Sequence, residues 1–130
     1  MLTEEELRGH LDALGWDAGP VGENTLRAIR VTPQGTFPVY LRLQDGWFVA
    51  SIVPFLKSDG AQAFELSRWL LRVNRDLHLA KFAYDEDGDV VLTVELPTAS
   101  LSRAEIDVAL RELVSTAESQ LATLRAASSG

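Results

Sequence analysis

The sequence predicts an α+β protein in which three helices pack against a single antiparallel sheet of five strands. Three observations support this fold: capping motifs that precede apolar residues at helical spacing, alternation of period two between the helices, and short turn sequences between neighbouring strands. Strands joined by short turns pair antiparallel, because a parallel pair needs a long crossover connection. The predicted order of elements is α-β-β-β-α-β-β-α.

The first and last helices each begin at a capping box. Thr3-Glu4-Glu5-Glu6 places Thr3 as the N-cap with Glu6 reaching back to it, and Gly15 ends this helix. Ser102-Arg103-Ala104-Glu105 begins the last helix in the same way. The apolar positions of the last helix cover about 140° of its circumference, as expected for packing on a sheet. They are Ile106, Ala109, Leu110, Leu113, Val114, Ala117, Leu121 and Leu124.

Five segments have the character of strands. In the clearest of them, Phe37, Val39 and Leu41 point to one side of the sheet, whereas Pro38 and Tyr40 point to the other. Turn-forming residues rich in Gly, Pro and Asp separate consecutive segments, which predicts hairpins. The segments are Thr25–Val31, Phe37–Leu43, Trp47–Val53, Ala80–Tyr84 and Val90–Leu96.

The second helix has more apolar surface than one sheet can cover. Asp59-Gly60-Ala61-Gln62 predicts its beginning, and it runs to about Asn74. Phe64 and Leu71 lie outside its main stripe and widen the apolar arc to about 220°. A helix that covers one sheet needs an apolar arc of only a little over 100°. The helix could be buried deep within the monomer, but a two-layer domain of 130 residues has little depth. We therefore expect a contact with a subunit or another protein. The main stripe is Ala63, Leu66, Trp69, Leu70 and Val73.

Several aromatic residues are further candidates for an interface, since aromatic side chains are enriched where interfaces concentrate their binding energy. Tyr40 points away from the Phe37, Val39 and Leu41 side of its strand, which favours an exposed position. In a sheet protein, however, such aromatic residues belong to the core more often than to an interface. The candidate interface residues are Phe64, Trp69, Leu71, Tyr40 and Trp47, and Phe55 is a further candidate for an exposed anchor.

Length and composition limit the classes of protein that this chain can belong to. Its 130 residues predict one domain, over residues 1–125, followed by a small polar tail at 126–130 that we expect to fray. Without cysteine, the chain cannot form a disulfide framework or a cysteine-based zinc site. The net charge of −7 argues against binding to nucleic acid or an anionic membrane. The acidic N-terminus resembles no signal peptide, and no apolar run is long enough to cross a bilayer, so we expect a cytoplasmic protein.

No motif in the sequence indicates catalysis, a metal or a cofactor. The acidic segment Asp85–Asp89 suggests a calcium loop, but aligning Gly88 with the sixth position of such a loop puts Ala83 at the first position and Val94 at the twelfth. Both essential ligands are then missing, so the segment is interpreted as a hairpin turn. His10 and His78 show no metal-binding spacing. We expect a protein that is not an enzyme and carries no cofactor.

Three segments together resemble a known family. Leu70–Arg75 (LLRVNR), Ala80–Asp85 (AKFAYD) and Asp87–Leu92 (DGDVVL) are similar to the YbjN family of sensory-transduction-regulator-like proteins. The resemblance implies the fold of the small chaperones of type III secretion. It also implies a homodimer or related assembly that holds an extended segment of another protein, with no active site.

The sequence therefore leads to one main hypothesis and two alternatives. The main hypothesis is a non-enzymatic protein-binding module, chaperone-like or regulatory, that holds a partner through an exposed strand edge or shallow apolar grooves. The first alternative is a sensor that binds a small ligand between sheet and helices. The second is an enzyme that uses a pair of carboxylates for acid–base chemistry.

Overall fold

The computed structural model describes residues 2–57 and 63–129, with side chains at 2–57 and 64–123. Three helices share one hydrophobic core with one face of an antiparallel sheet, as predicted. The elements are α1 (Glu4–Ala13), β1 (Gly19–Gly22), β2 (Thr25–Thr32), β3 (Gly35–Gln44), β4 (Trp47–Leu56), α2 (Ala63–Asp76), β5 (Lys81–Tyr84), β6 (Val90–Pro97) and α3 (Arg103–Ser129).

The sheet has six strands, so the prediction of five was wrong. The additional strand is β1, which pairs antiparallel with β2 through Gly19 opposite Arg27 and Pro20 opposite Leu26. Its sequence, Gly-Pro-Val-Gly, consists mostly of residues that are depleted in strands and shows no alternation. Proline is tolerated here because β1 forms an edge of the sheet, where a missing N–H need not break the ladder.

The strand order is β1-β2-β3-β4-β6-β5, and every neighbouring pair is antiparallel. Leu41 on β3 lies opposite Ala50 on β4, which in turn lies opposite Val94 on β6. All three are buried on the same side of the sheet. The two apolar faces predicted for β3 and β6 therefore form one continuous surface under the helices.

The predicted helix caps are present wherever the structure describes them. The Thr3 hydroxyl accepts a hydrogen bond from the Glu6 N–H, and the Glu6 carboxylate accepts one from the Thr3 N–H, each at 3.1 Å. The backbone hydrogen bond from Thr3, assisted by its hydroxyl, lowers the pKa of the Glu6 carboxyl. Ser102 and Glu105 form the same box before α3. The motif at 59–62, expected to begin α2, lies outside the described residues.

Helix α3 packs against β4, β6 and α2. Along its predicted stripe, Ile106, Leu110 and Leu113 are fully buried, and Val114 lies partly buried beside them. The side chain of Leu124 is outside the described part of the chain. Helix α3 extends to Ser129, and the expected fraying of 126–130 stays a prediction. Among the described residues, no helix is long and apolar enough to cross a membrane.

Candidate protein interface

The outer side of α2 carries two large apolar side chains in solvent. Phe64 is 73% exposed and Leu71 is 71% exposed. With Arg68 and Arg75 they follow the spacing i, i+4, i+7, i+11, which places all four within an arc of about 60°. We call these four residues the α2 outer stripe. The inner side of the helix is different, because Leu66 and Leu70 are buried in the core.

The arginines of the α2 outer stripe already have weak contacts. The Arg68 guanidinium lies 5.9 Å from the ring centre of Phe64 and 3.9 Å from the Glu65 carboxylate. Arg75 donates to the Asp76 carboxylate at 3.2 Å, and this hydrogen bond lowers the pKa of Asp76. Exposed pairs of this kind contribute little stability, so the arginines stay available for other contacts.

Trp69 does not lie beside Phe64 and Leu71. It is half-buried and packs against the core, about 140° round the helix from Phe64. Its indole Nε1 is buried and has no hydrogen-bond partner among the residues that the structure describes. Trp69 is therefore no exposed anchor in this chain, and a role at an interface stays a prediction.

Tyr40 and Trp47 lie on the sheet face away from the helices, as the alternation predicted for Tyr40. Ile29, Val31 and Trp47 are 47%, 76% and 45% exposed on this face. The register aligns Arg27, Tyr40, Ser51 and Thr93 in one row across four strands. We call this surface the open sheet face. On the described strands β2, β3, β4 and β6 it consists of Thr25, Arg27, Ile29, Val31, Thr36, Pro38, Tyr40, Arg42, Gln44, Trp47, Val49, Ser51, Val53, Val91, Thr93, Glu95 and Pro97.

A shallow hollow of about 270 Å³ lies at the centre of the open sheet face. The Arg27 guanidinium lies 5.8 Å from the ring centre of Tyr40, and the hydroxyls of Ser51 and Thr93 are hydrogen-bonded at 2.8 Å. The hollow therefore combines an apolar floor with a hydroxyl-rich and cationic rim. Its lining is Thr25, Tyr40, Arg42, Val49, Ser51 and Val53.

Phe55, a candidate for an exposed anchor, belongs to the core instead. Phe55 is 7% exposed and contacts Phe37 and Phe82, with ring centres 6.2 and 5.3 Å away. Simple alternation along β4 would have put it on the open sheet face. The register between β4 and β6 shifts after Ile52, and such an irregularity turns the following side chains to the other face.

The two edges of the sheet differ in a way that the sequence did not reveal. At β5, the Asn74 side chain donates to the Phe82 carbonyl at 2.9 Å and accepts from the Phe82 N–H at 2.8 Å. The amide of Asn74 thus takes the place of a neighbouring strand at this position. At β1, all four residues are exposed, and Pro20 offers no N–H. An asparagine in the last turn of a helix that precedes a short strand is too common a pattern to have identified this contact.

The acidic segment Asp85–Asp89 forms a hairpin turn. The Asp85 carboxylate accepts hydrogen bonds from the N–H groups of Asp87 and Asp89 at 2.9 and 3.0 Å, and Gly88 takes a positive φ of 82°. Within the described residues, no group of three or more acidic or histidine side chains is placed to hold a metal ion. His10 accepts a hydrogen bond from Arg103, and His78 is exposed.

We expect millimolar calcium to leave the melting temperature unchanged. The Asp85 carboxylate is already used by two backbone groups, and the first and twelfth ligands of a calcium loop are missing. Thermal unfolding with calcium or with a chelator measures this directly. A rise in melting temperature that the substitution Asp87→Asn abolishes would contradict the prediction.

Comparison with known proteins gives one family and a set of similar folds. The model of the family YbjN, "Putative bacterial sensory transduction regulator", matches residues 3–125. No significant relative is found among curated protein sequences.

Solved structures with a similar fold cover nearly the whole chain. The ExsC–ExsE complex has a TM-score of 0.67 at 19% identity, over 95% of this chain and 97% of that one. YbjN from E. coli has a TM-score of 0.63 at 16% identity, over 92% and 88% of the chains. The Yersinia pestis type III secretion chaperone SycH, in complex with a fragment of YscM2, has a TM-score of 0.57 at 19% identity, over 88% and 97%. The chaperone-like fold that the sequence resemblance implied is therefore confirmed.

Proposed function

The chain belongs to the YbjN family, and from this membership we propose that it is a non-enzymatic, cytoplasmic protein-binding module, chaperone-like or regulatory, without a cofactor. Its function is to hold a segment of another protein. The observation that carries the proposal is the exposure of large apolar side chains on two surfaces: Phe64 and Leu71 on the α2 outer stripe, and Ile29, Val31 and Trp47 on the open sheet face. Burying such a side chain in an assembly contributes roughly 1.5–3 kcal/mol.

The α2 outer stripe suits a homodimer with two-fold symmetry. If two α2 helices pack antiparallel about a point between Trp69 and Leu70, Phe64 of one copy meets Arg75 of the other, and Arg68 meets Leu71. Each apolar side chain then lies against an arginine, whose stem covers apolar surface and whose guanidinium stacks on the phenylalanine ring. The stripe is thus complementary to itself, as a two-fold interface requires.

The open sheet face would then hold the partner segment. Its hollow of about 270 Å³ is open to solvent and smaller than most pockets that enclose a small ligand, which are roughly 300–1,000 Å³. An extended peptide needs only shallow pockets for alternate side chains. Two solved structures with this fold are protein complexes, that of SycH with a fragment of YscM2 and that of ExsC with ExsE, and this supports the same use of the fold here.

Affinity capture from native bacterial lysate, followed by mass spectrometry, tests the proposed function. We expect the wild type to retain a specific protein, and the double variant Tyr40→Ala, Trp47→Ala to retain at least about tenfold less of it. Val108→Ala is the matched control, because Val108 is 55% exposed on α3, away from both candidate surfaces. Capture that is the same for wild type and double variant would show that the open sheet face does not hold the partner.

A further inference from the structure

We infer that the open sheet face selects an acidic, extended segment, in which two carboxylates at alternate positions meet Arg27 and Arg42. This inference rests on the proposed function and adds the chemistry of the partner. It follows from the charges of this face, from their spacing and from the apolar surface between them.

The two arginines are the cations that this face offers to a partner. Both are exposed, and among the described residues neither forms an ion pair with an acidic side chain. Lys81, on the adjoining strand β5, is unavailable because its ammonium donates to the carbonyl oxygens of Asn74 and Leu77. Glu95 is the acidic residue on the same face of β6, and it is separated from Arg42 by Val49. Arg27 and Arg42 therefore give the open sheet face a local excess of positive charge in a chain whose net charge is −7.

The register sets the spacing of the two arginines. Arg27 lies opposite Tyr40 on β3, whereas Arg42 lies opposite Thr25 on β2. Arg27 and Arg42 are therefore diagonal neighbours on adjacent strands, and such positions are about 7–8 Å apart. Alternate residues of an extended chain repeat every 6.6–6.8 Å or so and point to the same side. Two carboxylates with one residue between them therefore match the spacing of the two positions from which the arginine side chains extend.

The surface beside the arginines suits the other side chains of such a segment. Val49 and Val53 line the hollow, and the Tyr40 ring forms one of its walls. Arg27 is held above that ring at 5.8 Å, so part of its freedom is lost before the partner binds. Hydrogen bonds between guanidinium and carboxylate are strengthened by charge and by their paired geometry. The face therefore offers apolar contact together with anion recognition.

Other occupants fit these features less well. A lysine-rich or arginine-rich segment would bring its cations against Arg27 and Arg42. A second copy packed face to face about a two-fold axis through the hollow would bring the arginines of both copies together. Nucleic acid carries a negative charge on every phosphate, so most of its length would meet the acidic remainder of this protein, whereas a short segment with two carboxylates needs only the two arginines.

Fluorescence anisotropy with three labelled ten-residue peptides tests the inference. The first peptide alternates glutamate with valine and threonine, and the other two carry glutamine or lysine in place of each glutamate. We expect the glutamate peptide to bind at least about tenfold more tightly than the glutamine peptide, the difference to shrink as salt is added, and the lysine peptide to bind most weakly. The double variant Arg27→Gln, Arg42→Gln should remove the preference, and Arg8→Gln, an exposed arginine on α1, should keep it.

Each other result overturns the inference in a recognisable way. If glutamate and glutamine peptides bind the wild type equally, the face holds extended segments without selecting acidic ones, and the proposed function stands. If no peptide binds, this face does not select an acidic segment, and the lysate capture decides the proposed function separately. If the double variant changes the oligomeric state in light scattering, the occupant is a second copy. Circular dichroism establishes that both variants are folded.

Discussion

Replacing Leu113 by alanine is expected to lower the free energy of unfolding by about 2–5 kcal/mol. Leu113 is fully buried in the middle of α3, on the side that packs against the sheet. The substitution removes apolar contacts and leaves a cavity between two rigid layers, which can close only in part. A domain of this size has a total stability of about 5–15 kcal/mol, so the variant should be close to unfolding at physiological temperature.

Denaturant unfolding followed by circular dichroism measures this effect, and Val108→Ala is the matched control. Val108 lies on the same helix but is 55% exposed, so its truncation should change the free energy of unfolding by less than about 0.5 kcal/mol. Equal effects of the two substitutions would contradict the assignment of the buried and exposed faces of α3.

The substitution Leu71→Glu is expected to produce a folded monomer. In the proposed homodimer the substitution removes about 1.5–3 kcal/mol of favourable free energy of apolar burial from each copy. The new carboxylate would also have to give up its hydration. The dissociation constant of the dimer should therefore rise more than about a hundredfold. The same substitution at the neighbouring Leu70, which is 4% exposed, should unfold the chain instead.

Light scattering combined with circular dichroism separates these outcomes. A folded monomer for Leu71→Glu together with loss of structure for Leu70→Glu supports the interface. Loss of secondary structure for Leu71→Glu would show that Leu71 belongs to the core of the chain. A wild type that is monomeric at high concentration would refute the homodimer and leave the α2 outer stripe to a different protein.

Local sequence signals were sufficient for most of the fold. The capping boxes at Thr3 and Ser102 are confirmed. They could be predicted because their hydrogen bonds join residues only three positions apart in the sequence. Alternation identified the buried face of β3 and β6, since burial on one face leaves a period of two. The family was also correctly identified, from the segments that link α2, β5 and β6. The exposure of Phe64 and Leu71 agrees with the excess apolar arc of α2.

Features that depend on distant parts of the chain were not predictable. Strand β1 forms because β2 offers a free edge, although Gly-Pro-Val-Gly has little strand propensity of its own. Phe55 is buried because of a shift in register against β6, a strand that lies some 40 residues further along the sequence. Trp69 follows helical spacing, but its depth of burial depends on the neighbours of α2. The pairing of Arg27 with Tyr40 likewise requires the register of two strands.

The contact between Asn74 and Phe82 limits how copies of this protein can join through the edges of their sheets. A strand at the edge of a sheet can pair with a strand of another chain. A protein with two free edges can therefore add copies without end, as in a fibril. Here the β5 edge is occupied at Phe82 by the side chain of Asn74 from the same molecule. Two copies that join through their β1 edges form one continuous sheet, and that sheet can grow no further. Asn74 thus prevents further strands from adding to the β5 edge of the sheet.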